Sequence, residues 1–165
     1  VESLPNHHVL FVPDRNLGSW VAGQTSKIIH TWDGHCYVHD PGIRPASIRD
    51  LKQLHPEAAV LVHPECAPPV RNLADFVGST GAILEYVADS DRESFIIGTE
   101  GGILAPLRER NPRKRFFATG STCASMRLIT LHSLRGSLDR METRIEVDED
   151  LAARARGALE KMVAV

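Results

Sequence analysis

A cysteine and a histidine lie three positions apart at two places in this sequence of 165 residues. Cys36 precedes His39 by three positions, and His63 precedes Cys66 by three. Thiolates and imidazoles at this spacing are typical zinc ligands, so one zinc site is an alternative interpretation of these four side chains, against which Cys123 is left unexplained. A ligand set or a reactive thiol assembled from separate loops is a second interpretation, and burial of the cysteines as small apolar residues is a third.

Polar residues follow several apolar segments that read as strands. His63, Pro64 and Glu65 follow AAVLV, the loop GTEGG follows SFII, and Gly120 to Cys123 follow RFFA. In open α/β sheets ligands bind beyond the carboxyl ends of the strands, so the three loops predict one site. The segment PDRNLG after LFV repeats the arrangement, and Asp14 is there either a helix cap or a site residue.

Ser79 and Thr80 lie between two glycines at the start of a predicted helix over residues 81–88. Their hydroxyls and the free backbone N–H groups of a helix start would bind a carboxylate or a phosphate. Serine and threonine are also ordinary helix caps, so capping alone stays open. The sequence lacks the GxGxxG, GxxxxGK[ST], GxSxG and HExxH motifs.

The composition excludes several classes of protein. With 42% hydrophobic and 24% charged residues the chain is typical of a globular protein rather than a disordered one. A net charge of −2 gives no electrostatic basis for binding nucleic acid, and no apolar run is long enough to span a membrane. An odd number of cysteines and the lack of a signal-peptide pattern predict a reducing, cytoplasmic setting.

Short β-branched or aromatic runs alternate with amphipathic segments, which predicts an α/β fold with a mostly parallel sheet. Leucines recurring every three or four positions predict a long helix over residues 122–141, with Cys123 in its first turn, and another helix closes the chain over 151–162. The other predicted strands cover residues 9–12, 59–63, 94–98 and 115–118, and the other predicted helices cover 17–29, 46–54, 70–77, 81–88 and 103–110.

Together, these residues resemble the C-terminal part of the quinolinate synthase family. The segments GHCYVH, LVHPEC, FVGSTGAIL, FIIGTEGG and CASMRLITL occur in the family's order between residue 8 and about residue 132. The resemblance implies a three-layer αβα architecture with three related domains around a 4Fe-4S cluster. Residues 1–40 would end the second domain, residues 41–120 would form the third, and residues 121–165 would be helices packing across the domain junction.

The resemblance also implies which side chains act. Cys36 and Cys123 match two of the three cluster ligands, whereas Cys66 matches a position that the family does not use. The residues implied as iminoaspartate-binding are His63, Pro64, Glu65, Ser79 and Thr80, and those implied for acid–base catalysis are Glu65, His39 and His63.

Family members condense iminoaspartate with dihydroxyacetone phosphate to quinolinate, phosphate and water, in NAD biosynthesis. This implies a functional link to the aspartate-oxidising enzyme that supplies iminoaspartate. The first cluster cysteine would lie in a region outside this chain, so we expect an isolated fragment to be inactive. The alternative is a zinc-binding or non-catalytic α/β interaction module.

Overall fold

The structure of the chain, a computed structural model, describes residues 1–164 and contains two separate parallel sheets. The chain divides into two compact units. One consists of His7–Cys123 and holds both sheets, and the other consists of Val1–Asn6 and the chain from Ala124 onward. Among the described residues, none of the helices is both long enough and apolar enough to cross a bilayer.

The smaller sheet pairs β1 (His8–Phe11) with β2 (Ile28–Thr31) in parallel, and α1 (Arg15–Ala22) connects the two strands. The predicted helix over residues 17–29 is therefore wrong in its second half. The helix ends at Gly23, and the chain turns back so that Ile28 can pair with His8. The β-branched pair Ile28–Ile29 favours the extended conformation in which it is found.

The larger sheet has four parallel strands, β3 (Ala59–Val62), β4 (Phe76–Val77), β5 (Ser94–Gly98) and β6 (Arg115–Ala118). Their order across the sheet is β4-β3-β5-β6. Both central strands are fully buried, as their uninterrupted apolar sequences require. Residues 70–77, predicted as a helix, instead form the end of a short helix and an edge strand. The elements are α2 (Pro45–Leu54), β3 (Ala59–Val62), α3 (Pro68–Arg71), β4 (Phe76–Val77), α4 (Thr80–Asp89), β5 (Ser94–Gly98), a 3-10 turn (Gly101–Ile103), α5 (Leu104–Arg110) and β6 (Arg115–Ala118).

Helices cover both faces of this sheet, which confirms the predicted α/β class. Because side chains alternate along a strand, Leu61 and Ile97 face the helices α4 and α5, while Val60 and Ile96 face α2 and α3. One apolar cluster forms on each face. The result is a three-layer arrangement with the sheet in the middle.

The strand order creates a crevice between the carboxyl ends of β3 and β5. The connection that leaves β3 runs through α3 to β4 on one side, and the connection that leaves β5 runs through α5 to β6 on the other. The helices of these two connections also pack on opposite faces of the sheet. Such a switch point is where open α/β sheets bind their ligands.

The second unit contains a 3-10 turn (Met126–Leu128), α6 (Leu131–Arg140) and α7 (Glu149–Val163). The prediction of one helix over residues 122–141 is wrong. Thr130 caps α6, since its hydroxyl accepts from the backbone N–H of Ser133 at 3.0 Å while the Ser133 hydroxyl accepts from the N–H of Thr130 at 2.9 Å. This capping box fixes a later start. Cys123 therefore lies in a loop and not in a helical turn.

Candidate active site at the carboxyl edge of the sheet

The loops that follow β3, β5 and β6 meet at one edge of the larger sheet. The backbone N–H of His63, after β3, donates to the carbonyl of Gly98 at the end of β5, at 3.1 Å. The N–H of Gly101, after β5, donates to the carbonyl of Ser121, after β6, at 2.9 Å. Gly98 permits this close approach, because a Cβ there would lie 2.8 Å from a methyl carbon of Val62.

Two imidazoles and a carboxylate form the centre of this edge. The rings of His39 and His63 stack with their centroids 4.5 Å apart and their planes 20° from parallel. One Glu65 oxygen, Oε2, lies 3.1 Å from Nδ1 of His39 and 3.9 Å from Nδ1 of His63. Glu65 follows His39 by 26 positions in the sequence, so the fold brings distant residues together in this group. His39 is only 7% exposed.

Burial keeps both imidazoles neutral near pH 7. Loss of solvation lowers the pKa of His39, against the opposing effect of the Asp14 and Glu100 carboxylates. Burial also lowers the pKa of His63, and the neighbouring His39 adds to this, whereas Glu65 and Asp14 oppose it. A neutral imidazole has one lone pair and one N–H, so each ring can accept one proton and donate another.

The hydrogen bonds of His39 are incomplete. Its Nε2 lies 2.9 Å from the hydroxyl of Thr99, which is also buried. Its Nδ1 lies close to Glu65 but makes no hydrogen bond, because the short distance is not matched by suitable angles. A buried polar atom without a partner is uncommon in folded proteins and indicates that something else engages it.

The side chain of Asp14 holds the backbone of Cys36 in place. One oxygen of this carboxylate caps α1 by accepting from the backbone N–H of Leu17, and the other accepts from the N–H of Cys36, both at 2.8 Å. The capping interpretation of Asp14 is confirmed, and the same carboxylate also holds the backbone of Cys36, while a direct role of Asp14 in the site stays a prediction. The carboxylate is 3% exposed.

Cys123 lies beside the loop that contains Cys36. The hydroxyl of Tyr37 is 3.5 Å from Sγ of Cys123. The Ser121 hydroxyl donates to the carbonyl of Val38 at 2.7 Å, and the N–H of Cys123 donates to a Glu100 oxygen at 3.3 Å. These contacts bring together the residues around two of the three cysteines.

Cys66 has a different environment. It is fully buried, its thiol donates to the carbonyl of Gly98 at 3.4 Å, and burial raises its pKa to about 12. The zinc site of Cys36, His39, His63 and Cys66 considered from the sequence is therefore wrong, because this thiol faces the core. Ligand atoms of Cys36, His39 and Glu65 do lie within 4.8 Å of one another.

Ser79 and Thr80 lie at the start of α4, after the edge strand β4. The Ser79 hydroxyl caps the helix by accepting from the N–H of Ala82 at 3.2 Å, and both residues are exposed. The N–H of Gly78 donates to the carbonyl of Val62 at 3.1 Å, which places this loop next to the one that contains Pro64 and Glu65. Because Ser79 and Thr80 are exposed, their hydroxyls are accessible to a ligand.

Arg71 supports the site, although nothing in the sequence singled it out. Its guanidinium donates to the carbonyls of Pro64 at 2.8 Å and Asn16 at 2.5 Å, and to the hydroxyl of Ser19 at 2.7 Å. It thereby connects the loop after β3 to helix α1 of the smaller sheet. An arginine within a short apolar segment gives no sequence signal for this role.

Comparison with known proteins agrees with this arrangement. The family described as quinolinate synthetase A protein matches residues 1–164. Quinolinate synthase of Desulforudis audaxviator is 47% identical to the chain over 168 residues, covering all of the chain and 55% of the relative. The chain belongs to the quinolinate synthase family. It spans about half the length of the curated relatives that it matches.

Other members of the family show similar agreement. Quinolinate synthase of Dehalococcoides mccartyi is 44% identical over 167 residues, with all of the chain and 55% of the relative covered. Quinolinate synthase 2 of Methanosarcina acetivorans is 41% identical over 167 residues, with all of the chain and 54% of the relative covered. Membership connects the chain to NAD biosynthesis.

The thiols suit the cluster that the family resemblance implies. Iron–sulfur clusters bind thiolates that are accessible from the site. Cys36 and Cys123 are both partly exposed and are not joined by a disulfide, whereas Cys66 is enclosed in the core. The donor set of this chain thus fits two ligands of such a group.

Proposed function

We propose that this chain forms the part of a quinolinate synthase that supplies two cluster thiolates and one side of the iminoaspartate site. The observation that supports it most directly is the meeting of the Cys36–Tyr37 and Cys123 loops beside the buried His39–Glu65–His63 group. The complete reaction condenses iminoaspartate with dihydroxyacetone phosphate and releases phosphate and water. The aspartate-oxidising enzyme would supply the first substrate.

In this proposal Cys36 and Cys123 hold a 4Fe-4S cluster, and a third thiolate comes from outside this chain. When bound, a cluster with only three thiolate ligands supplies a Lewis-acidic iron that assists loss of a substrate hydroxyl. Asp14 holds the Cys36 backbone, and Glu100 holds that of Cys123. Both thiols then approach the cluster on anchored loops.

Proton transfer in the proposed reaction falls to Glu65, His39 and His63. Dehydration requires a base that removes a proton from carbon and an acid that protonates the departing oxygen. One Glu65 oxygen lies 3.1 Å from Nδ1 of His39 and 3.9 Å from Nδ1 of His63, so a small rotation of the carboxylate would let it exchange a proton with either ring.

The carboxylates of iminoaspartate would bind at the start of α4. Ser79 and Thr80 offer hydroxyls there, and the first backbone N–H groups of a ten-residue helix point toward the same place. The positive end of the helix dipole attracts anions. Replacing Thr80 with Ala is expected to raise KM for iminoaspartate while leaving kcat nearly unchanged.

Substitution of each cysteine tests the cluster assignment in the complete enzyme that contains this sequence. Cys36→Ser and Cys123→Ser should each remove the cluster absorbance, the bound iron and sulfide, and quinolinate formation. Cys66→Ser is the matched control and should retain all three, because its thiol faces the core. A normal cluster in Cys36→Ser would refute the assignment.

A second experiment addresses the carboxylate. Glu65→Gln preserves size but removes the proton-accepting oxygen, so kcat should fall about 10²–10⁴-fold while the iron content stays normal. Unchanged turnover in this variant would contradict an acid–base role.

The chain of residues 1–165 alone, with only two of the cluster ligands, is expected to form neither a stable 4Fe-4S cluster nor quinolinate.

A further inference from the structure

The strongest unexplained feature of the site is the Nδ1 atom of His39. The His39 side chain is only 9% exposed, and Nδ1 has no hydrogen-bond partner. Its other nitrogen, Nε2, is engaged by the Thr99 hydroxyl at 2.9 Å. When Nε2 carries the proton, the lone pair of Nδ1 and the nearby Glu65 oxygen are both acceptors. Two acceptors 3.1 Å apart repel each other unless a proton or a metal cation lies between them, and the missing hydrogen bond at Nδ1 leaves this position open to a metal.

A third donor completes the set. Cys36 offers its sulfur so that the ligand atoms of Cys36, His39 and Glu65 all lie within 4.8 Å of one another. Around a tetrahedral zinc ion, with bonds of about 2.0–2.3 Å, donor atoms are roughly 3.3–3.8 Å apart. The upper limit of 4.8 Å exceeds this spacing by about 1 to 1.5 Å, which movement of the side chains on zinc binding would have to supply.

The surrounding groups favour a dication. Carboxylates of Asp14 and Glu100 act electrostatically on His39 in addition to the adjacent Glu65. The contact between Nε2 and Thr99 is the kind of outer hydrogen bond that orients a metal-binding imidazole. A thiolate, an imidazole and a carboxylate together suit zinc, whereas magnesium and calcium prefer oxygen ligands alone.

We propose that the cluster-free chain binds one zinc ion through the Cys36 sulfur, Nδ1 of His39 and the Glu65 carboxylate. The Cys36 thiol releases its proton to solvent when it binds, and three protein ligands leave the fourth position open to water. This site differs from the four-residue site considered from the sequence, since neither His63 nor Cys66 belongs to it. If the proposed function is correct, zinc and a cluster compete for Cys36.

Zinc titration of the reduced, metal-free chain tests the proposal directly, with a chromogenic zinc chelator as competitor. We expect one equivalent to bind, with uptake of one ion accompanied by release of a proton. Cys36→Ser, His39→Gln and Glu65→Gln should each weaken zinc binding at least tenfold. Far-UV circular dichroism of each variant separates loss of a ligand from loss of the fold.

Cys66→Ser and Cys123→Ser are the matched controls, and both should bind zinc as the unaltered chain does. Cobalt in place of zinc should show a thiolate charge-transfer band that disappears in Cys36→Ser only. The proposal is overturned if Cys123→Ser weakens binding as much as Cys36→Ser, or if folded His39→Gln and Glu65→Gln bind normally. No step uses a cluster or a quinolinate assay, so the result is independent of the test of the proposed function.

Discussion

Individual cysteines of one sequence can have very different chemistry. Cys36 and Cys123 are partly exposed and lie in loops at the edge of the sheet, while Cys66 is enclosed by the core and donates to Gly98. Their immediate neighbours in the sequence do not distinguish them, because all three lie beside polar residues. The family resemblance sets Cys66 apart, and the structure supplies the physical difference, which is burial. The contrast leads to a prediction about the dependence of stability on pH.

The prediction concerns the Cys66 thiol. Its pKa is about 12 in the folded chain and 9.0 for an ordinary thiol, so above pH 9 the unfolded state loses this proton first. The thiol's contribution to stability is therefore complete below pH 9 and is lost as the pH rises toward 12. Between those values the free energy of unfolding should fall by up to about 1.4 kcal/mol per pH unit from this group.

Urea unfolding at a series of pH values from 8 to 10.5 measures this effect. Cys66→Ala should be less stable at pH 8 and should have a shallower decline of the free energy of unfolding above pH 9 than the unaltered chain. Parallel curves for Cys66→Ala and the unaltered chain would show that the thiol ionises normally.

At the scale of elements, the loop of residues 119–123 depends on contacts with its neighbours. The Ser121 hydroxyl donates to the Val38 carbonyl in a buried setting, and Glu100 accepts from the N–H groups of both Gly102 and Cys123. These bonds replace the regular structure that the loop lacks. The position of Cys123 is therefore determined by side chains of other segments.

Ser121→Ala is expected to lower the free energy of unfolding by about 1–3 kcal/mol, because it leaves the buried Val38 carbonyl without this donor. Amide exchange at Gly101 and Cys123 should become faster. Thr122→Ala, the neighbouring exposed hydroxyl, serves as control and should leave both quantities nearly unchanged. Equal exchange rates in the two variants would contradict a positioning role for Ser121.

The sequence predicted the longer strands of the larger sheet better than the short or irregular elements. The buried strand β5 and the edge strand β6 have the predicted bounds, because turn residues mark the ends of both. β4 has only two residues, too few to show alternation, and β2 was absorbed into a helix prediction. The leucine periodicity of residues 128–141 suggested a longer helix than the Thr130 cap allows.

The sequence predicted which loops form the candidate site, but it did not predict the contacts between side chains within the site. The polar loops at strand ends pointed to His63, Pro64 and Glu65, because the carboxyl ends of parallel strands lie at the same edge of a sheet. The stacking of His39 on His63 and the supporting role of Arg71 depend on how distant segments pack, which periodicity does not encode. The catalytic and ligand roles, like the three-part domain division, stay predictions.

For the whole molecule, the distribution of apolar surface is uneven. Large apolar side chains are exposed along the chain from Met126 to Val163, including Leu131 at 86% and Leu138 at 68%. Exposed apolar side chains in such number favour association in water. The chain on its own is therefore expected to self-associate.

Sedimentation velocity at increasing protein concentration measures this. The weight-average sedimentation coefficient should rise with concentration, and a chain with both Leu131→Lys and Leu138→Lys should show a smaller rise. Leu54→Lys is the control, because that leucine is 72% exposed but belongs to the other unit. A concentration-independent, monomeric unaltered chain would disprove the expectation.

The bond between Ser121 and Val38 has a consequence for damage and repair. Together with the anchors on Asp14 and Glu100, it connects the segments around Cys36 and Cys123 without using either thiol. If the proposed cluster binds at these cysteines, its oxidative loss would leave the two segments tied together. Reassembly of the cluster would then require reduced thiols and a supply of iron and sulfide, but not refolding of the polypeptide.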